Sequence, residues 1–136
     1  APAERLGEQS FTRLLVLFIP ILVPVLVTHT ALVYGVLRYA GTQDRFWPVL
    51  GAVNCLDTAP FILSSGLYAL VMIEAHTWQE IYPLLLIIEF YGVAVAAFAI
   101  TRLGRVPWEL AGAAALFNFL LADHITEFVF NYHGID

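Results

Sequence analysis

The sequence predicts an all-α membrane protein, an antiparallel bundle of four transmembrane helices that forms one domain over residues 1–136. The chain is 60% hydrophobic and only 12% charged, whereas a soluble domain has roughly 25% charged residues. A span needs about 20 apolar residues, and the chain supplies four such runs. They cover about residues 11–38, 47–73, 80–101 and 107–130. Barrel strands are excluded, because they would alternate in polarity over about ten residues and these runs do not.

The first span follows a short polar lead, residues 1–10. We interpret it as an uncleaved span rather than a secretory signal, because its apolar run is long and lacks a small-residue cleavage site. Pro20 and Pro24 remove two backbone donors, so we expect a kink or carbonyl groups that face a neighbouring helix. Thr28, His29 and Thr30 follow about two thirds of the way along the span, by helical register.

The second span carries a carboxylate, Asp57, in the middle of the apolar segment 51–68. An ionisable group at membrane depth costs about 2.5 to 3.5 kcal/mol on insertion scales, so it is a functional candidate by default. Cys55 is the only cysteine, which leaves no disulfide framework and no thiolate-rich metal site. We interpret Cys55 as a small buried side chain.

All the basic residues of the chain are arginine, and most of them lie beside the loops. Four flank loops one and three, and two lie near the N-terminus: Arg38, Arg45, Arg102 and Arg105 against Arg5 and Arg13. The positive-inside rule then predicts that loops one and three are cytoplasmic and that both termini lie on the opposite side. The formal net charge is −5 and no basic patch is present, so the sequence indicates no nucleic-acid partner.

Polar residues of all four spans lie at similar depths. With a rise of about 1.5 Å per residue, His29 lies about 14 Å from the loop-one end of span one and Asp57 about 15 Å into span two. Asn118 lies about 16 Å into span four and Glu89 about 20 Å from the loop-three end of span three. On an antiparallel bundle these side chains can converge on one interior cavity, where bundles build ligand sites.

Three of these residues also have a structural interpretation, whereas Glu89 is a candidate for function or for an oligomer interface. His29 could bond a carbonyl freed by Pro24 or a neighbouring threonine, and Asp57 could act as a cap bonded to Asn54 or Thr58. Asn118 could simply link helices, because such bonds are common in membrane bundles and contribute only about 0.6 kcal/mol on average. The shared depth favours a common site.

At the far end of span four, Asp123, His124 and Glu127 form a second polar group. His124 and Glu127 share a helix face at a spacing of i, i+3, which could hold a metal ion. Their position near the membrane interface, where hydrated charges cost little, favours an exposed polar helix end. We therefore predict no metal site.

Short motifs occur in order on all four spans. They are His29, Cys55-Leu56-Asp57-Thr58, Ser65-Gly66-Leu67, Tyr82-Pro83-Leu84, Tyr91-Gly92 and Phe117-Asn118. These motifs resemble those of the EXPERA domain family, which contains the emopamil-binding protein, a sterol isomerase, and the sigma-2 receptor. The resemblance covers the whole chain.

The resemblance implies a cofactor-free cavity, open toward the membrane, for a sterol-like or isoprenoid ligand. It implies that His29 and Asp57 are the proton-handling pair and that Asn118 is a polar orienting group. Two residues depart from the isomerase pattern: Val33 stands where that pattern has a glutamate, and Leu121 where it has a tryptophan. Glu89 replaces a neutral glutamine and could act as a second carboxylate.

Three functions remain open: an intramembrane isomerase, a lipid-binding protein of the same fold without catalysis, and a proton-coupled transporter that uses Glu89. A transporter predicts a homodimer with its site at the interface. An isomerase or lipid-binding protein predicts a hydrophobic small-molecule partner and a cavity within one protomer. The predicted catalytic residues are His29, Asp57 and Glu89, and the predicted ligand-binding residues are Asn54, Asn118, Tyr91, Tyr34 and Ser65.

Overall fold

The computed structural model describes residues 11–132, which form four long helices joined by short loops. The helices are α1 (Phe11–Tyr39), α2 (Phe46–Met72), α3 (Trp78–Gly104) and α4 (Trp108–Tyr132), and a short 3-10 turn, Gln43–Arg45, precedes α2. This part of the chain contains no strand. The predicted all-α, four-helix architecture is therefore confirmed. Arg5, on which the sidedness prediction partly depends, lies outside the described residues.

Each of the four helices contains a segment long and apolar enough to cross a membrane. Large apolar side chains cover the outside of the bundle, and Ile19, Phe90 and Phe98 are each more than 60% exposed. Water-soluble proteins rarely expose such a continuous apolar surface. These features fit an integral membrane protein whose outer surface contacts lipid.

α3 begins at Trp78, before residue 80 where its span was predicted to start, because polar residues support this helix end. Before α3, the Thr77 side chain accepts a hydrogen bond from the backbone N–H of Glu80 (3.4 Å), and the Glu80 carboxylate accepts one from Thr77 N–H (3.1 Å). This capping box satisfies two donors that a helix N-terminus otherwise leaves free. His76 Nδ1 also lies 3.1 Å from the Glu80 carboxylate, so loop two has a defined structure.

The two prolines of α1 do not end the helix. The Thr28 hydroxyl donates to the carbonyl oxygens of Pro24 (2.9 Å) and Val25 (3.0 Å), one turn after the second proline. The helix then continues without interruption to Tyr39. Thr28 thereby stabilises the turn that leads directly into His29.

The helices pack in a ring with one weak side. α2 packs most extensively against α3, and α4 contacts both α3 and α1, whereas α1 and α2 make few contacts with each other. We call this weakly packed line between α1 and α2, which passes His29 and Asn54, the seam. Cys55 lies beside it and is exposed on the outer surface of α2. The expectation that Cys55 is buried was wrong, because a residue two positions before Asp57 points to the other side of the helix.

The main apolar core lies at the end of the bundle that carries loops one and three. Leu37, Val49 and Val53 are completely buried there. The Arg45 guanidinium donates a hydrogen bond to the carbonyl oxygen of Leu103 (3.0 Å), which joins loop one to the end of α3. Val53 of this core also forms one end of the cavity described below.

Gly104 occupies the most restricted glycine position of the described chain. A Cβ atom there would lie 2.6 Å from Leu37 Cδ2 and 3.4 Å from Val49 Cγ2. Both neighbours are 0% exposed, so neither can move away without disturbing the core. Only glycine fits at this contact.

We predict that Gly104→Ala lowers the free energy of unfolding by about 1 to 3 kcal/mol, as expected for overpacking of a core. The measurement is the thermal midpoint of the purified protein in detergent. Gly112→Ala is the matched control, since a Cβ at Gly112 meets nothing within 4 Å. Equal midpoints for the two variants would contradict the packing described here.

Candidate functional site

A cavity of about 360 Å³ lies in the middle of the bundle, and all four helices contribute to its wall. Its volume is within the range of small-molecule sites. Most of the wall is apolar, formed by side chains such as Val33, Phe61, Val93 and Ala115. Five polar residues interrupt it: His29, Asp57, Ser64, Glu89 and Asn118.

His29 connects three helices through its two ring nitrogens. Asn118 Nδ2, on α4, lies 3.2 Å from His29 Nδ1, and Asn54 Oδ1, on α2, lies 3.2 Å from His29 Nε2. The amide nitrogen of Asn118 can only donate, so Nδ1 accepts and the ring proton is on Nε2. Nε2 then donates to Asn54 Oδ1, which can only accept. The geometry thus assigns one neutral tautomer to His29.

Asn118 has a further polar atom with no such partner. Its Oδ1 is buried and accepts no hydrogen bond from any of residues 11–132. Its Nδ2 is held by His29, so the side chain has one satisfied end and one unsatisfied end. Buried polar atoms without a partner are rare in folded proteins and require an explanation.

Asp57 and Glu89 also face the cavity without a protein partner. Neither carboxyl group makes a hydrogen bond or a salt bridge with the part of the chain that the structure describes. His29 is close enough to interact electrostatically with Asp57, but its ring nitrogens are bonded to the two asparagines. The expected His29–Asp57 pair is therefore a pair of neighbours, not a hydrogen-bonded pair.

The structure does not support a capping role for Asp57. The Thr58 hydroxyl donates to the backbone carbonyl of Asn54 (3.1 Å), and the Asn54 side chain bonds His29. Both of the proposed partners of Asp57 are thus occupied elsewhere. The Asp57 carboxyl group remains available to a molecule in the cavity.

Glu89 lies within electrostatic range of two further ionisable side chains. Tyr68 of α2 and Asp123 of α4 both interact with it. Glu89 itself lines the cavity, whereas Asp123 is exposed. These ionisable groups therefore extend from the cavity toward the end of the bundle that carries loop two.

α2 and α3 approach closely beside the cavity. A Cβ at Gly92 would lie 3.7 Å from Pro60 Cβ and 3.8 Å from Pro60 Cγ, and Pro60 is buried. These are ordinary van der Waals distances, so α2 and α3 pack directly against each other here without requiring glycine. The contact lies about one helical turn after Asp57 on α2 and after Glu89 on α3.

The structure brings together four of the predicted site residues and leaves four outside the cavity wall. His29, Asp57, Glu89 and Asn118 line the cavity. Asn54 reaches the site only through its bond to His29. Tyr34 is 40% exposed and contacts Phe46, Tyr91 is 60% exposed, and Ser65 is exposed.

Ser64, and not Ser65, lines the cavity, and helical spacing could have identified it. Positions seven apart on a helix return to almost the same direction, and positions eight apart do not. Ser64 is seven residues after Asp57 and therefore shares its face. Ser65 points about 80° away from that face by the same geometry.

Two further grooves lie outside this cavity. One, between α1 and α4, is lined by Pro20, Pro24 and the exposed side chain of His124. The other, beside the seam, is lined by Tyr34 and Phe46. Neither groove combines several polar side chains as the central cavity does.

No family model matches the chain, and no curated protein or solved structure is significantly similar to it. The resemblance to the EXPERA domain family therefore stays a prediction from the short motifs. The chemistry of the site is argued below from the geometry of its own residues.

We predict a measurable energetic coupling between His29 and Asn118. Single replacements of either residue by leucine remove the bond, and the double replacement cannot remove it twice. The coupling energy should be about 0.5 to 2 kcal/mol, the range found for hydrogen bonds between transmembrane helices. The measurement is a double-mutant cycle on unfolding of the purified protein in SDS.

The control cycle pairs His29→Leu with Asn131→Leu, an exposed asparagine near the end of α4. The effects of these two replacements on the free energy of unfolding should add within about 0.5 kcal/mol, because Asn131 is not a hydrogen-bond partner of His29. Additive behaviour in both cycles would contradict the hydrogen-bond chain through His29.

Proposed function

We propose that this protein holds an apolar ligand of the sterol or isoprenoid class in its central cavity and moves a double bond in that ligand by proton transfer. The observation that supports this proposal is the cavity itself. Two carboxyl groups, Asp57 and Glu89, line it without a hydrogen-bond partner among residues 11–132, and the rest of the wall is mostly apolar. An apolar wall with a few convergent polar groups is the usual composition of a small-molecule site.

The location of the cavity supports a membrane lipid as the ligand. It lies between helices whose outer surfaces are apolar, and the seam beside it is weakly packed. A ligand that is dissolved in the bilayer can reach such a site without crossing water. In the same proposal, loops one and three face the cytoplasm.

The chemistry requires an acid and a base that contact the same ligand. Asp57, in its protonated form, gives a proton to one carbon of the double bond, and the π electrons form the new C–H bond. The other carbon of the original double bond becomes cationic, and a C–H bond on the next carbon along then breaks. Its electrons form the new double bond, and its proton goes to the carboxylate of Glu89. One proton enters and one leaves, so no cofactor is needed.

His29 takes part in this proposal mainly by holding Asn118. Both of its nitrogens are hydrogen bonded to amide groups, so a proton transfer through His29 would first have to break one of these bonds. The carboxyl groups of Asp57 and Glu89 make no such bonds with the described part of the chain. They are the better candidates for the acid and the base.

A second candidate function is lipid binding without catalysis. The occupied nitrogens of His29 favour it, and so do Val33 and Leu121, which stand at positions where the isomerase pattern has a glutamate and a tryptophan. A transporter is less well supported, because the cavity is formed within one chain by all four of its helices. A transporter was expected to have its site at a dimer interface.

We expect a defined sterol or isoprenoid to co-purify with the wild-type protein. Asp57→Asn should lose this lipid or retain a chemically different one, because the carboxyl group faces the cavity. The measurement is native mass spectrometry followed by lipid extraction. Asp44→Asn, in the exposed loop-one turn, is the matched control and should retain the lipid. Recovery of bulk phospholipid alone from all three proteins would refute the proposed ligand class.

Catalysis is tested by incubating the protein with the extracted lipid in D₂O. An isomerase should place one deuterium on the carbon that is protonated, because the acid exchanges its proton with solvent between turnovers. Asp57→Asn should slow this incorporation by about 10² to 10⁴-fold, the usual contribution of a general acid.

Deuterium-free lipid in both proteins, together with tight binding to the wild type, would reject the isomerase. The non-catalytic binding function would then be the correct one.

A further inference from the structure

The fold brings together four arginines that are scattered along the sequence. They lie at the end of the bundle that carries loops one and three, and they are Arg38, Arg45, Arg102 and Arg105. Leu37 and Gly104 pack against each other in the core at this end. The residues that follow them, Arg38 and Arg105, therefore lie near each other at the surface, where both are exposed.

Acidic residues balance this positive charge only in part. Asp44 and Glu109 are the carboxylates at the same end of the described bundle. Within residues 11–132 neither carboxylate pairs with an arginine, and the side chains of Arg38 and Arg105 make no hydrogen bond. This end is therefore positively charged, although the whole chain has a formal net charge of −5. A guanidinium group without a protein partner is available to an external anion.

Arg105, which directly follows α3, has a backbone conformation that favours glycine. Its φ is 52° and its ψ is 42°, in the left-handed region that residues with a Cβ atom rarely adopt. After α1 the same region is occupied by a glycine, Gly41, with a φ of 74°. The backbone gives no reason for an arginine at position 105, and such an outlier points to a role for the side chain.

Aromatic side chains place these arginines at the level of lipid headgroups. Tyr39, Trp47 and Trp108 lie at the same end, and each is more than 70% exposed. Tyrosine and tryptophan are enriched where a membrane meets water. The Arg102 guanidinium carbon lies 5.7 Å from the centre of the Phe98 ring, which is exposed on the outer surface of α3. Arg102 therefore lies on the side of the bundle that faces lipid.

We infer that this end of the bundle binds the phosphate group of an anionic phospholipid through Arg38, Arg102 and Arg105, which we call the arginine cluster. The planar guanidinium group matches phosphate oxygens in a bidentate geometry and gives up water more readily than an ammonium group does. Arg45 is not included, because its guanidinium is bonded to the carbonyl oxygen of Leu103. The arginine cluster lies outside the central cavity, so this inference does not depend on the proposed function.

The experiment measures lipid preference with the full chain in bilayers. The probes are dioleoyl phosphatidylglycerol, which is anionic, and dioleoyl phosphatidylcholine, which has the same phosphate but no net charge. One of the two is brominated in each mixture, so that it quenches nearby tryptophans. Trp47 and Trp108 lie beside the arginine cluster and report on it, and Trp78 at the opposite end is replaced by phenylalanine.

We expect this parent protein to prefer phosphatidylglycerol by about 5-fold or more, since this is the contribution of even one basic side chain near an anionic surface. The preference should fall toward one in about 1 M salt, where charges are screened within a few ångströms. Replacing all three residues of the arginine cluster by glutamine should abolish it.

Arg105→Gly separates the side chain from the backbone. It should lower the preference by about 2- to 5-fold, while the thermal midpoint in lipid-free detergent stays the same or rises, because glycine fits the left-handed backbone. Arg105→Lys keeps the charge and should retain more of the preference than the glycine variant. Glu74→Gly is the matched control: Glu74 also has a positive φ, 59°, but lies in loop two, so the preference should not change.

Equal quenching by the two lipids in the parent protein would overturn the inference. An unchanged preference in Arg105→Gly together with a lower thermal midpoint would also overturn it, because Arg105 would then serve only the end of α3. Displacement of brominated phosphatidylglycerol by millimolar glycerol phosphate would assign the arginine cluster to a soluble phosphate ester instead of a lipid. None of these outcomes bears on the ligand of the central cavity.

Discussion

The bundle depends on one imidazole ring. In a bilayer, apolar surfaces gain little from contacting each other rather than lipid, so helix association relies on close packing and on bonds between helices. α1 packs well against α4 but poorly against α2. His29 compensates for this by bonding Asn118 on α4 and Asn54 on α2 through opposite sides of one ring. The weakest side of the bundle is thus closed at the level of the cavity.

The hydrogen bonds of His29 give the imidazole a structural role and leave the two carboxyl groups a separate role. The asparagines occupy His29, and no partner for the carboxyl groups of Asp57 and Glu89 is found among residues 11–132. If all of these groups were bonded to each other, the cavity would present only satisfied polar groups. Because the bonds end at Asn54 on one side and at Asn118 on the other, the two carboxyl groups remain directed at the cavity.

Run length and helical rise predicted most of the fold and part of the site. Four apolar runs gave four helices, since a span has a nearly fixed length, and equal depth brought His29, Asp57, Glu89 and Asn118 to one cavity. Depth does not give the direction of a side chain around its helix. For that reason the bond between His29 and Asn54 was not predicted, and Ser65 was chosen where Ser64 lines the wall.

The exposed thiol of Cys55 gives this protein a natural attachment point for a spectroscopic probe. It is the only cysteine of the chain, and it adjoins Asn54, the residue that crosses the seam. A spin label or fluorophore attached there would sit on the lipid-facing surface of α2, outside the cavity. Movement of α2 relative to α1 could therefore be followed in a chain that needs no engineered cysteine.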